Sequence, residues 1–178
     1  MSVKEDVLNH VIDIEGGYVD DPSDSGGETK YGVTIKVARA YGYTGDMKDL
    51  KRAKAFDIYD NRYWKTIDGD TLADLSAPLV REVFDTAINA GVGRAIMFLQ
   101  RVLNVFNRGG KLYADINVDG VTGPVTMNAL NHFLVHHDEY LLLRALNCLQ
   151  GSFYIELAER REKDERFIKG WLAHRVVI

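Results

Sequence analysis

Two carboxylate side chains, Glu15 and Asp24, lie in one glycine-rich segment with eight residues between them. Glycoside hydrolysis commonly requires one carboxyl group that protonates the leaving oxygen and a second polar group that directs water or stabilises the cationic transition state. Glu15 follows an apolar, helix-forming stretch and precedes two glycines, so we expect it to be partly removed from water, which favours its protonated form. Asp24 stands among serines and glycines, which favour the charged form. The pair therefore predicts a site that cuts a glycan.

Each carboxylate alone has a plainer interpretation, because a glutamate at a helix end is usually a solvated surface residue and an Asp-x-Gly-Gly sequence is usually only a turn. The hypothesis depends on the ordered set. Thr29 and Thr34 follow Asp24 at short spacing, and either hydroxyl can assist it. Tyr18 and Tyr31 lie in the same segment and offer rings on which the apolar faces of sugars stack. The predicted catalytic residues are Glu15, Asp24, Thr29 and Thr34.

Four further residues are predicted to contact substrate. Tyr63 and Trp64 are adjacent near a predicted helix end, although aromatics at helical spacing are more often core contacts. Asp85 and Asn89 lie one helical turn apart, so both side chains can face a groove and bind N-acetyl groups or hydroxyls. A helix-packing or capping role fits this second pair equally well.

The ordered set resembles the phage-type lysozymes, whose site consists of Glu, eight residues, Asp, five residues and Thr; here four residues precede Thr29. Glu15-Gly-Gly-Tyr, Asp24-Ser-Gly-Gly-Glu-Thr29 and Gly32-Val-Thr34 more closely resemble the glycoside hydrolase family 108 muramidases of phage endolysins and bacterial prophages. The resemblance implies a lysozyme-like helical fold, N-acetylmuramidase activity and a catalytic glutamate that corresponds to Glu15. It leaves the choice between the two threonines open.

The resemblance extends over nearly the whole chain. Its further motifs are Tyr59-Asp-Asn-Arg-Tyr-Trp64, Val83-Phe-Asp-Thr-Ala-Ile-Asn-Ala-Gly91, Asp119-Gly-Val-Thr-Gly-Pro-Val-Thr126 and Phe167-Ile-Lys-Gly-Trp171. The last two are similar to the C-terminal peptidoglycan-binding part of the family. We therefore expect a catalytic muramidase region over 1–90 and a helical peptidoglycan-binding region over 91–178.

Apolar periodicity and capping signals predict a mainly α protein with a short β or irregular segment after the first helix. A Ser2/Glu5 capping box begins the first helix, and a long loop is expected over 107–121. The predicted helices are 3–14, 34–42, 48–63, 77–90, 93–106, one from Pro124 through Leu149, and one from 152 to about 163.

Composition excludes several classes of protein. The net charge of −4 provides no basic surface for nucleic acid. Cys148 is the only cysteine, so no internal disulfide is expected, and we predict that it is buried. No apolar stretch approaches the ~20 residues of a membrane-spanning helix, and acidic residues near the N-terminus are unlike a secretory leader. We expect a monomer that is made in the bacterial cytoplasm and acts on the wall after release.

No metal or other cofactor is expected. His132 and His136 have metal-ligand spacing, but no glutamate follows His132 to complete a zinc protease motif. The run from Asp115 to Gly120 matches the first half of a calcium-binding EF-hand loop, but Thr126 stands where that loop needs a glutamate.

The sequence therefore predicts an endolysin-type muramidase that cuts peptidoglycan between N-acetylmuramic acid and N-acetylglucosamine, with Glu15 as general acid. One alternative is a lytic transglycosylase, which needs a glutamate but no water-directing partner. Another is a non-catalytic peptidoglycan-binding protein, such as a secretion accessory.

Overall fold

Helices make up most of the chain in the computed structural model, which describes residues 2–20 and 27–176. The predicted catalytic residue Asp24 lies outside the described residues. The mainly α architecture predicted from the sequence is confirmed. Within the described residues the α-helices are α1 (Val3–Glu15), α2 (Ile35–Ala40), α3 (Arg52–Tyr59), α4 (Gly69–Leu75), α5 (Ala77–Ala90), α6 (Val92–Phe106), α7 (Pro124–His136), α8 (Glu139–Arg160) and α9 (Glu165–His174).

The chain folds as two compact units, Met1–Thr66 and Ile67–Ile178. This division falls inside the region predicted to be catalytic, 1–90. The boundary between the compact units therefore differs from the boundary that we predict between the catalytic and the peptidoglycan-binding regions. The boundary after residue 90 stays a prediction.

Helix α1 supports the first unit. The Ser2 hydroxyl accepts the N–H of Glu5 at 3.2 Å, and the Glu5 carboxylate accepts the N–H of Ser2 at 2.8 Å, as the predicted capping box requires. Leu8 and Ile12 of α1 are fully buried, and α1 packs against α3. Burial of each such side chain stabilises the fold by about 1.5–3 kcal/mol. This packing fixes the direction in which α1 ends.

A small antiparallel sheet follows α1, with the strand order β1 (Tyr18–Val19), β2 (Thr29–Lys30) and β3 (Val33–Thr34). Tyr31 and Gly32 form a two-residue turn between β2 and β3, with φ of 53° and 71°. Positive φ at both central residues is typical of a type I′ hairpin turn, whose twist matches that of the strands. The buried side chain of Val33 anchors β3 in the unit.

Helices α5, α6 and α8 pack together in the second unit. The hydroxyl of Ser76 accepts the N–H of Leu79 at 3.0 Å and caps α5, and Gly91, with φ of 93°, separates α5 from α6. Phe84 and Ile96 are among the buried side chains of these two helices. The observed bounds of α5 agree with the prediction, and those of α6 agree within one residue.

The long loop after α6 is held by one buried amide. The Gln100 side chain donates to the Asp119 carboxylate at 2.9 Å, to the Val121 carbonyl at 3.1 Å and to the Thr126 hydroxyl at 3.2 Å. Its carbonyl oxygen accepts the N–H of Gly120 at 2.9 Å. Gln100 is 1 % exposed, so its amide cannot form hydrogen bonds with solvent. These bonds to protein groups take the place of bonds to water.

The carboxylates of the calcium-like run bond to protein donors. Asp115 accepts the side-chain amide of Asn107 at 2.5 Å, and Asp119 accepts Gln100 and the N–H of Val121, each at 2.9 Å. Across residues 2–20 and 27–176, no group of three or more His, Cys, Asp or Glu side chains is placed to hold a metal ion. The run therefore folds as a hydrogen-bonded loop.

The helices after Pro124 break at 137–138 and not after Leu149 as predicted, and α8 continues through Gly151 to Arg160. Glycine inside a helix costs about 1 kcal/mol relative to alanine. A Cβ at Gly151 would lie 3.6 Å from Val176, so the chain after α9 packs closely on this position. Tertiary packing therefore maintains a helix that local propensity interrupts.

Three other local predictions differ from the structure. The predicted helix over 48–63 is divided into a 3₁₀ turn at Met47–Asp49, α3, and a π-helical segment at Asp60–Trp64. Helices α4 and α9 are absent from the prediction. Cys148 is exposed, so its predicted burial is wrong. Among the described helices, none is long and apolar enough to cross a membrane.

Replacing Gln100 with a side chain of similar size that cannot form hydrogen bonds tests whether the amide holds the loop. We expect Gln100→Met to lower the free energy of unfolding by about 3 kcal/mol, because it removes four hydrogen bonds to the loop region, one of them to the buried Thr126 hydroxyl. Urea unfolding followed by circular dichroism measures this change. Val105→Met places the same side chain at an exposed position of α6 and should change stability little. Equal stability of the two variants would exclude this role of Gln100.

Candidate functional site

Glu15 is the last residue of α1. Gly16, with φ of 66°, ends the helix and directs the chain toward β1, and its N–H donates to the carbonyl of Ile12 at 3.2 Å. The expectation that Glu15 is partly removed from water is wrong, because the residue is exposed. The apolar face of α1 that suggested burial lies on other positions, such as Leu8 and Ile12. The carboxyl group is therefore open to solvent.

The hairpin turn packs against the carbon stem of Glu15. A Cβ at position 32 would lie 3.0 Å from both Cβ and Cγ of Glu15, and it would overlap the hydroxyl of Tyr59. Because Gly32 lacks that atom, the turn, the glutamate and the tyrosine come together without a clash. The turn therefore restricts the base of the Glu15 side chain while its carboxyl end stays exposed.

Tyr59 connects α3 to the hairpin turn. Its side chain is buried, and its hydroxyl donates to the carbonyl of Tyr31 at 3.1 Å. Burial, and then the negative charges of Glu15 and Tyr63, raise the pKa of the Tyr59 phenol. The phenol therefore stays protonated and continues to donate this bond. This role could not be predicted from the sequence, because nothing in the residue spacing indicates that Tyr59 meets the turn.

Thr29 and Thr34, the two threonines between which the sequence does not decide, are direct partners across β2 and β3. Cross-strand partners project from the same face of a sheet with Cβ atoms ~4.5–5.5 Å apart. The Thr29 hydroxyl donates to the carbonyl of Gly27 at 3.2 Å, which leaves its lone pairs able to accept a hydrogen bond. The Thr34 hydroxyl accepts the N–H of Val37 at 3.3 Å and caps α2, which leaves its hydrogen able to donate.

Tyr18 and Tyr31 each lie beside a lysine. The ammonium of Lys48 is 5.3 Å from the centre of the Tyr18 ring, and that of Lys30 is 5.4 Å from the centre of the Tyr31 ring. The Lys30 ammonium also donates to the carbonyl of Lys48. Both tyrosines are half-exposed, so part of each ring remains open. Their contact with substrate stays a prediction.

Tyr63 and Trp64, the aromatic pair after α3, differ in their exposure to solvent. Trp64 is fully buried, so its ring has no surface for a sugar, and a core role replaces the predicted substrate contact. Tyr63 is half-exposed and stacks on Tyr59 with ring centres 5.7 Å apart. Arg62 donates to the Tyr63 hydroxyl at 3.1 Å. Of the two residues, only Tyr63 retains surface for a ligand.

Asp85 and Asn89 take part in a polar network of the second unit. Asp85 forms an ion pair with Arg175 at 2.6 Å and accepts the side-chain amide of Gln150 at 3.2 Å. The Asn89 amide donates to the backbone carbonyl of Asp85 at 2.8 Å and to its carboxylate at 3.2 Å. These bonds join α5 to α8 and to the chain after α9, in agreement with the helix-packing alternative.

Glu82 belongs to the same network and was not singled out from the sequence. It precedes Asp85 by three positions, a spacing that places two acids on one helix face. Burial, and then the charge of Asp85, raise the pKa of Glu82 to about 7. One carboxylate oxygen of Glu82 is buried and has no hydrogen-bond partner among the residues that the structure describes. This carboxyl group is therefore costly to ionise.

Two family models match the chain in succession. Residues 8–91 match the family described as "Glycosyl hydrolase 108", and residues 94–176 match the family described as "Predicted Peptidoglycan domain". Glu15 and both threonines fall within the first match. The resemblance seen in the sequence motifs is confirmed.

The chain is also similar to a solved structure, that of SagA from Brucella abortus. The sequences are 26 % identical, the TM-score is 0.65, and the match covers 97 % of this chain and 95 % of the SagA chain. The mainly α, lysozyme-like fold is confirmed. Among proteins with curated descriptions, none matches this chain.

Adding a methyl group at position 32 tests the contact between the turn and Glu15. We expect Gly32→Ala to lower the free energy of unfolding by about 2 kcal/mol or more, because of the positive φ and the overlap with Tyr59. Chemical denaturation measures the change. Gly17→Ala is the matched control, since a Cβ there meets no atom within 4 Å. The contact is refuted if both variants are as stable as the wild type.

The pH dependence of stability tests the burial of Glu82. The pKa of Glu82 is about 7 in the fold against 4.5 for an ordinary glutamate, so between these pH values the folded state holds a proton that the unfolded state has lost. The free energy of unfolding should therefore fall by about 3 kcal/mol as the pH rises from about 4.5 to above 7.

We expect Glu82→Gln to remove most of this fall in urea titrations at pH 4.5 and pH 8. Glu159→Gln, at an exposed position of α8, should retain it. An unchanged pH dependence in Glu82→Gln would show that the carboxyl group is hydrated.

Proposed function

We propose that this chain, whose residues 8–91 match the glycosyl hydrolase 108 family, is a muramidase that hydrolyses the β-1,4 bond between N-acetylmuramic acid and N-acetylglucosamine. A glycosyl hydrolase region followed by a peptidoglycan-binding region supports a lysozyme-like, peptidoglycan-degrading function. The particular bond and the role of each residue are our proposal.

One observation carries the assignment of Glu15 as general acid. Its carbon stem is held between the end of α1 and the Gly32 turn, while its carboxyl group is exposed. A general acid must stay within hydrogen-bond reach of the oxygen that it protonates. A fixed stem with an open carboxyl end meets this requirement for a polymer, which must reach the acid from outside.

In the proposed reaction, Glu15 gives its proton to the glycosidic oxygen while the bond from that oxygen to C1 breaks. Positive charge develops on the sugar ring, water adds to C1, and the water gives its proton to a carboxylate, either Asp24 or Glu15 after it has donated its own proton. Glu15 is exposed, so its surroundings in the fold are not dry. The bound glycan makes them dry by covering the acid and displacing water.

We assign the second polar group to Asp24 together with the pair of threonines. The Thr29 oxygen can accept a hydrogen bond from the attacking water, because its own hydrogen is used by Gly27. The Thr34 hydroxyl can donate, because its oxygen already accepts a backbone N–H. Thr29 therefore suits a role in orienting water, and Thr34 suits a role in binding a sugar or water oxygen.

Removing the acidic proton of Glu15 tests the proposal. We expect Glu15→Gln to lower kcat on isolated peptidoglycan at least about a hundredfold, because a general acid contributes ~10²–10⁴ in rate. Stability and binding to the wall should stay close to those of the wild type. Asp13→Asn removes a nearby exposed carboxylate of α1, whose ion pair with Arg52 contributes little, and should retain activity.

The released products separate the proposed function from its alternatives. Hydrolysis yields reducing N-acetylmuramic acid ends, which mass spectrometry distinguishes from the anhydro ends left by a lytic transglycosylase. Binding to peptidoglycan without turnover by the wild type would support a non-catalytic wall protein. A rate for Glu15→Gln equal to that of the wild type would exclude this residue as the acid.

A further inference from the structure

A groove of about 260 Å³ lies between α6 and α8 in the second unit. Its lining includes apolar side chains from both helices, among them Phe98 and Phe153, whose rings meet edge to face with centres 6.4 Å apart. Its other side chains include Arg94 and Arg101 from α6 and Arg160 from α8. The groove therefore combines apolar surface with guanidinium groups.

The charge of this groove is opposite to that of the chain. The protein carries a net charge of −4, whereas three arginines and one glutamate line the groove. The glutamate, Glu156, is paired with Arg160 at 2.6 Å. Two guanidinium groups, those of Arg94 and Arg101, therefore remain without a carboxylate partner among the residues that the structure describes. This local excess of positive charge favours an anionic ligand.

The two unpaired arginines differ in how they are held. Arg94 lies over the face of Phe153, with its guanidinium carbon 4.3 Å from the ring centre, and it donates to the carbonyl of Ala90 at 3.0 Å. Arg101 makes no side-chain hydrogen bond or ion pair within the described residues. Arg94 is thus pre-oriented over an aromatic ring, and Arg101 has all its donors available.

We propose that this groove binds the carboxylate-bearing peptide stem of peptidoglycan. The inference rests on peptidoglycan as the ligand of the second region and identifies the part of the polymer that this region holds. Stem peptides combine small apolar side chains with carboxylates, which match the apolar lining and the arginines, and guanidinium groups bind carboxylates in a two-bond geometry. The glycan backbone is richer in neutral hydroxyl and N-acetyl groups, which do not require arginine.

The size of the groove agrees with a short peptide segment. Pockets that enclose small ligands measure ~300–1,000 Å³, and this groove lies just below that range. It therefore accommodates one or two stem residues, while the rest of the polymer stays outside.

Calorimetry on the full chain tests the proposal. The probes are a soluble stem tetrapeptide, L-Ala-γ-D-Glu-diaminopimelate-D-Ala, and the same peptide with its carboxylates converted to amides. We expect the free peptide to bind, and the double variant Arg94→Gln/Arg101→Gln to lose at least about tenfold in affinity. The amidated peptide should lose a similar factor on the wild type. Arg144→Gln, an exposed α8 arginine stacked on Tyr140 and outside the groove lining, should bind like the wild type.

A second measurement separates this proposal from the proposed catalytic function. The double variant should cleave glycan strands stripped of their peptides at the wild-type rate. If the wild type cleaves no glycan but binds the stem in an arginine-dependent way, the catalytic proposal fails and the groove assignment stands.

Three outcomes would overturn the groove assignment. They are no binding of the stem peptide, equal binding of its amidated form, or equal binding by the double variant. Arginine-dependent binding of a phosphate polymer such as teichoic acid, without binding of the stem, would assign the groove to a different wall component.

Discussion

The close approach of Gly32 to Glu15 and Tyr59 is the constraint on which the candidate site depends. Any side chain at position 32 would overlap the tyrosine hydroxyl and press on the stem of the glutamate. The absence of a side chain lets the turn lie directly beside the end of α1, and the bond from Tyr59 to the Tyr31 carbonyl holds the turn there. Two elements distant in the sequence, α3 and the hairpin, thereby determine where one carboxyl group stands.

The exposure of Glu15 affects how it can serve as the general acid that we propose. In the mechanism that we propose, the fold positions Glu15 and leaves it open, and a bound glycan completes the site by excluding water.

Some features of the protein could be predicted from the sequence because they depend on local signals. The bounds of α5 follow from the Ser76 cap and the nearby Pro78, and the start of α1 follows from its capping box. The family could be recognised from short motifs around Glu15. These signals involve residues within a few positions of one another, so no knowledge of the tertiary fold was needed.

Other features depend on contacts between residues that are distant in the sequence, and local sequence patterns did not predict them correctly. The continuous α8 depends on packing at Gly151, and the burial of Trp64 accompanies a π-helical segment that helical spacing does not indicate. The exposure of Glu15 and of Cys148 reflects the orientation of a helix face, which adjacent residues determine poorly. The pairing of Thr29 with Thr34 required the register of the hairpin.

A crystal structure of the Glu15→Gln variant with a peptidoglycan fragment that spans the scissile bond tests the central claim most directly. The account predicts that the side chain at position 15 lies ~3 Å from the glycosidic oxygen, with the sugar covering it and the turn at Gly32 still against its stem. A fragment bound with its glycosidic oxygen beyond hydrogen-bond reach of position 15, and beside a different carboxyl group, would contradict the account.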